Sequence, residues 1–329
     1  MKFQKDKGIG KVYTFATLYA FANIENTETY KKSLLRVCKD NKILGTLLLA
    51  NEGVNGTISG TRERIEHVIK YIQNWKEING LEVKYSNSLQ NGFYRMKVKV
   101  KKEIVTMGKP KIDPSKSLGE YIEPSEWNKL ISHKDAIVID TRNDYEISIG
   151  KFKNAIDPCT KTFRDFPDWA DKLSTEQNKH KKIAMYCTGG IRCEKATAYM
   201  KEKGFTEVYH LKGGILKYLE TMPEENSLWE GDCFVFDQRV SVKHNLKQGN
   251  FKQCYACKMP LSEKECLDKN YVKGISCPNC FDKLSQTQKK RFSQRQKQID
   301  LSEIRGVDHI GQNTPSYKNS KLKSNVYGL

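Results

Sequence analysis

The sequence predicts an α/β multidomain chain: an N-terminal α+β domain, a central parallel α/β domain and a C-terminal segment organised by cysteines. Three observations predict it. Strand-like and helix-like stretches alternate as strand, helix, strand, strand, helix, strand before residue 108; Lys182 to Gly204 reads as strand, tight loop, helix with a cysteine in the turn; and two Cys-x2-Cys pairs stand 19 residues apart near the C-terminus. A chain of 329 residues is too long for one core of ordinary size, so two or three domains are expected. The boundaries drawn are 1–108, a linker over 109–120 with two prolines, 121–225, 226–305, and a polar tail over 306–329 read as disordered.

Residues 12–22 (VYTFATLYAFA) are aromatic and β-branched and predict the first strand. Asn26 or Thr27 caps a helix with Tyr30, Leu34, Val37 and Cys38 on one face, Cys38 being read as core. Ile43 to Ala50 is the second strand; NEGVNG turns the chain into a third, GTISG. Thr61 to Trp75 is a second helix with Ile65, Val68, Ile69 and Ile72 at helical spacing, and Leu81–Tyr85 and Tyr94–Val100 complete the set. That order is the split βαβ arrangement of ferredoxin-like, acylphosphatase-like folds, which host many functions. Arg95, Lys97, Lys99, Lys101 and Lys102 form a basic row that reads equally as a solvated face or as an RNA contact.

In the central domain Ala136–Asp140, Lys182–Tyr186 and Glu207–Leu211 are the expected parallel strands, with helices between. Cys187 stands where the middle strand ends, followed by Thr188, Gly189, Gly190, Ile191 and Arg192; Cys193, Ala196 and Met200 then share a helix face. A cysteine there lies among backbone N–H groups without intrahelical partners, at the positive end of a helix dipole. The paired glycines let N–H groups turn inward as an anion-binding nest, and Arg192 adds a fixed charge. These conditions lower a thiol pKa and make the sulfur nucleophilic. Cys193 reads as packed against the sheet, with a resolving thiol as the alternative. Between the strands, TKTFRDFPDWADKL (Thr160 to Leu173) reads first as a helix packing Phe163, Phe166 and Trp169, and second as a base-stacking surface beside Lys161 and Arg164.

Cys254, Cys257, Cys277 and Cys280 fit a four-cysteine zinc ribbon, closed and therefore structural. Cys266 lies between the pairs without an assigned role. Beyond them KKRFSQRQKQ (Lys289 to Gln298) is basic with one aromatic. Ten cysteines without a secretory leader, and no window approaching the ~18 apolar residues of a membrane span, lead us to expect a soluble cytoplasmic protein using thiols for metal and chemistry. The formal charge of +18, from 57 Lys and Arg against 39 Asp and Glu, favours a polyanionic partner. No His-Glu-x-x-His, G-x-G-x-x-G or P-loop pattern occurs, so no zincin, dinucleotide, flavin or ATP site is expected.

CTGGIR, Cys-x4-Arg, resembles the active-site loop of the rhodanese domain, whose cysteine carries a persulfide, and AIVIDTRNDYEISIGKFKNAIDP (Ala136 to Pro158) resembles its other half, with Asp140, Arg142 and Glu146 in the usual places. One departure is Lys151 after Gly150, where that domain often has His. Phosphatases on the same fold carry one more residue between Cys and Arg, so four intervening residues fit a sulfur-sized adduct. NEGVNGTISG, RMKVKVKKEIVTMG, DTRNDYEISIGKF and CFVFDQRVSV make the stretch from Val12 to Cys280 similar to the bacterial tRNA uridine hydroxylase family.

The resemblance implies oxygen-dependent conversion of the wobble uridine of tRNA to 5-hydroxyuridine, with molecular oxygen as co-substrate and the anticodon loop as partner. On this reading Cys187 is the nucleophile, Thr188, Gly189 and Gly190 the anion cradle, Arg192 the charge stabiliser, and Asp140 and Arg142 supports of the loop. Two other classes use part of the same evidence. A sulfurtransferase passing persulfide sulfur to a small acceptor needs Cys187 but neither ribbon nor basic surface, and a non-catalytic RNA-binding module needs those but not CTGGIR.

Overall fold

Strand β1 (Tyr13–Phe21) carries apolar side chains on both faces, with Ala16, Leu18 and Ala20 on one and Phe15 and Tyr19 on the other, and all five are buried. A strand apolar on both faces must be covered twice, and this decides how the chain folds back on itself. The structure, a computed structural model, describes residues 12–89, 91–114 and 118–305; the tail expected to be disordered lies outside them. The chain divides into two compact units at Lys252/Gln253.

The first cover of β1 is the N-terminal domain's own helix layer. After β1 come α1 (Thr27–Asp40), β2 (Leu44–Ala50), β3 (Gly53–Gly60), α2 (Arg62–Gln73), β4 (Glu82–Ser88) and β5 (Met96–Val100), in a sheet of order β4-β1-β3-β2-β5. The first four strands are antiparallel in the split βαβ order, and β5 adds a parallel edge beside β2. Leu34 and Cys38 of α1 and Ile65, Val68, Ile69 and Ile72 of α2 bury their stripes on Leu18, Leu47 and Ile58. Arg95, Lys97 and Lys99 alternate with core-facing Met96 and Val98, so the basic row occupies the outer face of an edge strand, where charge also blocks pairing with another sheet.

The second cover is the central domain. It runs β6 (Glu120–Ile122), α3 (Pro124–Ile131), β7 (Ala136–Asp140), α4 (Asp144–Ile147), β8 (Gly150–Phe152), α5 (Phe166–Leu173), α6 (Glu176–Lys179), β9 (Lys182–Tyr186), α7 (Ile191–Glu202), β10 (Val208–Leu211) and α8 (Gly214–Thr221). β6, β10, β9 and β7 form a parallel sheet in that order, one strand more than expected, β6 being too short to read from pattern. Phe163 and Phe166 are buried with Met185 and Met200 on one face, which supports the packing reading of that stretch over base stacking. Met107 and Ile112, at the edge of and inside the expected linker, are buried in the same cluster, so this part of the linker is packed chain. On the other face Phe152 sits edge-on to Tyr186, Tyr218 and Trp229, with ring centroids 4.7–5.1 Å apart.

Residues 226–252 belong with this unit, a correction to the boundary drawn at 226. Strand β11 (Trp229–Gly231) pairs with β8, and β12 (Cys233–Phe234) with β13 (Ser241–Val242) carries apolar side chains into the core around Phe152. The chain there also returns to β1: Arg239, chelated by Asp237 at 2.6 and 2.9 Å, places its guanidinium 3.9 Å from the Phe15 ring centroid and donates to Ser86 Oγ at 2.7 Å.

The second unit holds α9 (Glu263–Cys266) and α10 (Gln286–Ile304) around a small core of Leu261, Tyr271, Leu284 and the cysteines. Arg295 of the basic run donates to the carbonyls of Tyr255 and Gly274 at 3.2 and 2.7 Å, so it pins α10 to the ribbon and leaves Lys290, Arg291 and Lys297 exposed. No described helix is long and apolar enough to cross a membrane.

Candidate active site

Cys187 closes β9 and α7 starts four residues later, so its sulfur sits under the first turn of that helix, 1 % exposed. Gly190 N–H donates to Sγ at 3.1 Å, from a backbone at φ +100°. The Arg192 and Cys193 backbone N–H groups and the Cys193 thiol, all at the start of α7, also favour its anion. Burial alone pushes the Cys187 thiol up; the neighbouring Cys193 thiol, the Arg192 charge and the backbone N–H groups outweigh it, and the pKa falls below its ordinary value. Cys193 moves the opposite way, raised well above the usual range because it is buried and feels the negative charge of the Cys187 sulfur. The two thiols read apart in the sequence therefore act together, with Thr141 Oγ1 3.6 Å behind Cys193.

Arg192 has a partner the sequence reading did not assign. Both guanidinium nitrogens bind the Glu146 carboxylate at 2.7 Å, and Glu146 is 0 % exposed. The pair is fork to fork, so Arg192 clamps the loop as well as favouring the anion on Cys187. Thr188 Oγ1 donates to the same carboxylate at 3.3 Å. Glu146 is fixed in turn: it closes a capping box on Asn143, and Arg142, held by Asp140 at 2.6–3.2 Å, donates to its carbonyl at 3.2 Å and to that of Gly150 at 2.6 Å. Asp140 and Arg142, both 0 % exposed, thus support the loop through Glu146.

A second glycine pair completes the floor. Gly213 and Gly214 (φ +74° and +66°) open α8, whose Ile215 and Leu216 N–H groups bind the carbonyls of Cys187 and Thr188 at 3.0 and 3.1 Å. A Cβ on Gly214 would stand 2.5 Å from the Cys187 carbonyl oxygen, so the position accepts only glycine. The signal existed in the sequence: strand, Gly-Gly, helix recurs at 208–221.

The roof comes from β1. A Cβ on Gly190 would lie 3.2 Å from Tyr19 Oη, and one on Gly189 3.9 Å from Thr17. Tyr19 Oη donates to Glu194 at 3.0 Å and Tyr121 Oη to the same oxygen at 2.7 Å; burial raises the pKa of Glu194 against those two hydrogen bonds. Lys195, the next residue, is fully buried between Glu52 and Glu103, at 2.7 Å from each. The helix that carries Arg192 is therefore bolted to the N-terminal domain at consecutive positions.

In the second unit the four Sγ atoms of Cys254, Cys257, Cys277 and Cys280 lie within 4.8 Å of one another, with separations of 4.0 Å (254–280), 3.6 Å (257–277) and 3.7 Å (277–280). A zinc ion at ~2.3 Å from each sulfur requires tetrahedral edges of about 3.8 Å. The cluster fits zinc, and four thiolates leave no position for substrate. Cys266 packs against this core but stands outside the four.

Residues 13–104 match the UPF0176 acylphosphatase-like domain and residues 123–221 the rhodanese-like domain. Among solved structures, a rhodanese-like domain from an Anabaena species is 18 % identical over 35 % of this chain and 80 % of its own (TM-score 0.28). An acylphosphatase from Bacillus subtilis is 11 % identical over 26 % and 97 % (TM-score 0.23). A Rhodopseudomonas palustris protein of unknown function, described as a possible tyrosine phosphatase, is 23 % identical over 35 % and 92 % (TM-score 0.28). The chain thus joins a UPF0176-type acylphosphatase-like domain to a rhodanese-like domain, followed by a cysteine cluster compatible with zinc.

Proposed function

We propose that this protein hydroxylates C5 of the wobble uridine of tRNA with molecular oxygen, using Cys187 as the nucleophile. The observation that carries the proposal is the Cys187 sulfur under the first turn of α7, accepting the Gly190 N–H at 3.1 Å, with its pKa held below the ordinary thiol value. Bonding of that sulfur to C6 of the uracil moves the C5–C6 π pair onto C5 and O4, making C5 the carbon that bonds to oxygen. Loss of the C5 proton with release of Cys187 restores the ring. One oxygen atom enters at C5 and the other leaves as water, so each turnover consumes two electrons from a thiol reductant; Cys193 is the candidate thiol to resolve an oxidised sulfur.

A wobble base suits the site because it lies in an unpaired loop, and drawing it out costs less than the few kcal/mol needed to flip a paired base. With Cys187 1 % exposed, the base reaches it by displacing the Tyr19 side of the roof. The charge of +18 supports a phosphate-rich partner.

The test is nucleoside mass spectrometry of tRNA from a strain lacking the gene, complemented with wild type, Cys187→Ser or Cys193→Ser. We expect 5-hydroxyuridine to vanish with Cys187→Ser and to persist in part with Cys193→Ser. Full modification with Cys187→Ser would refute the thiol mechanism. Unchanged tRNA in the deletion strain, with thiosulfate sulfurtransferase activity in the purified protein, would favour transfer of persulfide sulfur to a small acceptor instead. Binding of tRNA by Cys187→Ala should weaken steeply with salt, and a flat response would count against RNA.

A further inference from the structure

Strand β4 brings Lys84 to the same roof as Tyr19. Its side chain is 11 % exposed, and its ammonium lies 5.2 Å from the Tyr19 ring centroid. Its stem runs along Gly213, where an added Cβ would meet Lys84 Cε at 3.3 Å; Gly214 in turn rests on the Cys187 carbonyl. The lysine therefore lies over the floor that carries the nucleophile. Among the described residues its one ion-pair partner is Glu82 at 3.9 Å, with no hydrogen bond from the ammonium to a protein acceptor. A cation so buried and so loosely paired is costly unless an anion answers it.

The charges around Cys187 leave Lys84 distinct. On α7, Arg192 also favours the Cys187 anion but is paired fork to fork with Glu146 of α4, Glu194 is held by Tyr19 and Tyr121, and the Cys193 thiol stays protonated. Lys217 of α8 is paired with Glu220 at 3.0 Å, and burial keeps the Cys233 thiol of β12 neutral. Burial weakens the hold of Lys84 on its proton, while negative charge on Glu82 and on Cys187 strengthens it.

We propose that the acylphosphatase-like domain is a working part of the thiol site and that Lys84 is its cation, stabilising negative charge on the Cys187 sulfur across the domain boundary. Lys84 is a positioning residue for that anion, whether the sulfur is a thiolate or carries a persulfide. The proposal concerns the sulfur and not its acceptor, so it stands or falls independently of the uridine chemistry.

The test is alkylation of the full-length protein with iodoacetamide from pH 5 to 9, with the Cys187 peptide quantified by mass spectrometry. Because Cys187 is covered, the readout is the pH midpoint of the rate and not its size: loosening the roof changes the rate, whereas removing a charge moves the midpoint. We expect Lys84→Met to raise the midpoint by about half a unit or more and Lys84→Arg to hold it near the wild-type value. If tryptophan fluorescence shows Lys84→Met to be unfolded, Lys84→Gln serves in its place with the same expectation. An unmoved midpoint in the uncharged variant, or an arginine variant that behaves like it, overturns the proposal.

Discussion

Glu146→Gln changes almost no volume and removes the charge on which the Cys187 loop hangs. The wild-type carboxylate, 0 % exposed, accepts two 2.7 Å hydrogen bonds from Arg192, one from Thr188 and one from the Asn143 N–H at 3.2 Å. Glutamine offers one acceptor oxygen and turns an NH2 group toward a guanidinium that has only donors. Leaving Arg192 buried without its counter-charge should cost about 3–5 kcal/mol, a large share of the ~5–15 kcal/mol that holds a domain together. With an m-value of about 3 kcal/mol/M in urea, the midpoint should fall by about 1–1.7 M. The assay isolates the relevant unit, because Trp75, Trp127, Trp169 and Trp229 are all the tryptophans of the chain and all precede Lys252. Burial opposes ionisation of Glu146, but Arg192 outweighs it and holds its pKa below the usual carboxylate value. A depressed carboxyl contributes stability present above its unfolded pKa of ~4.3 and lost as pH falls through the folded value. The gap between wild type and variant should therefore be constant from pH 7 to about 5 and close below that. A shift under about 0.3 M at pH 7 would show that the pair is solvated and that the loop is held by something else.

Cys193→Ala removes the neighbouring thiol that helps lower the Cys187 pKa, so the pH midpoint for alkylation of Cys187 should rise, and an unchanged midpoint would mean Arg192 and the backbone N–H groups suffice. Gly214→Ala would force a Cβ to 2.5 Å from the Cys187 carbonyl at φ +66°; urea titration should show a loss of at least ~1–3 kcal/mol, and wild-type stability would refute the packing argument. Metal analysis should find about one zinc per chain, and Cys277→Ser should lose the metal and make residues 253–305 protease-sensitive while the tryptophan signal stays native; retention of zinc by that variant would break the four-cysteine assignment.

The elements legible in the sequence were those set by local pattern. α1 and α2 follow their apolar stripes, β9 and α7 flank the glycines as expected, and the x2 spacing of the cysteines foretold sulfurs at tetrahedral distances. What escaped were contacts made by residues far apart in the chain. Glu146 and Arg192 are 46 residues apart and Tyr19 and Glu194 are 175, and no periodicity announces either pair. One global clue was present in β1: Phe15 and Tyr19 opposite Ala16, Leu18 and Ala20 mark a strand covered on both faces, hence a domain that cannot stand apart from its neighbour. The boundary at 226 failed for a related reason, because Trp229 and Val242 are core residues of the preceding domain on short strands that carry no alternation of their own.

The fate of the buried cations bears on where a polyanion would touch. Arg142, Arg192, Lys195 and Arg239 each meet a carboxylate at 2.6–2.7 Å inside the protein, so none of them contributes to a field outside it. The surplus of +18 must therefore be displayed at the surface. One place where it gathers is a groove of about 480 Å³ lined by Lys101, Lys102 and Arg164 together with Leu48 and Ile104. Glu103, also in its wall, is spent on Lys195 and the N–H groups of Met107 and Gly108, which leaves the groove's charge positive. The same short stretch, Lys101 to Glu103, thus turns two cations outward and one carboxylate inward. The inward carboxylate fixes α7, and with it Arg192 and the Cys187 loop, to the domain whose edge carries the outward pair. A polyanion held in that groove would bear on the segment that bolts the roof over the nucleophile.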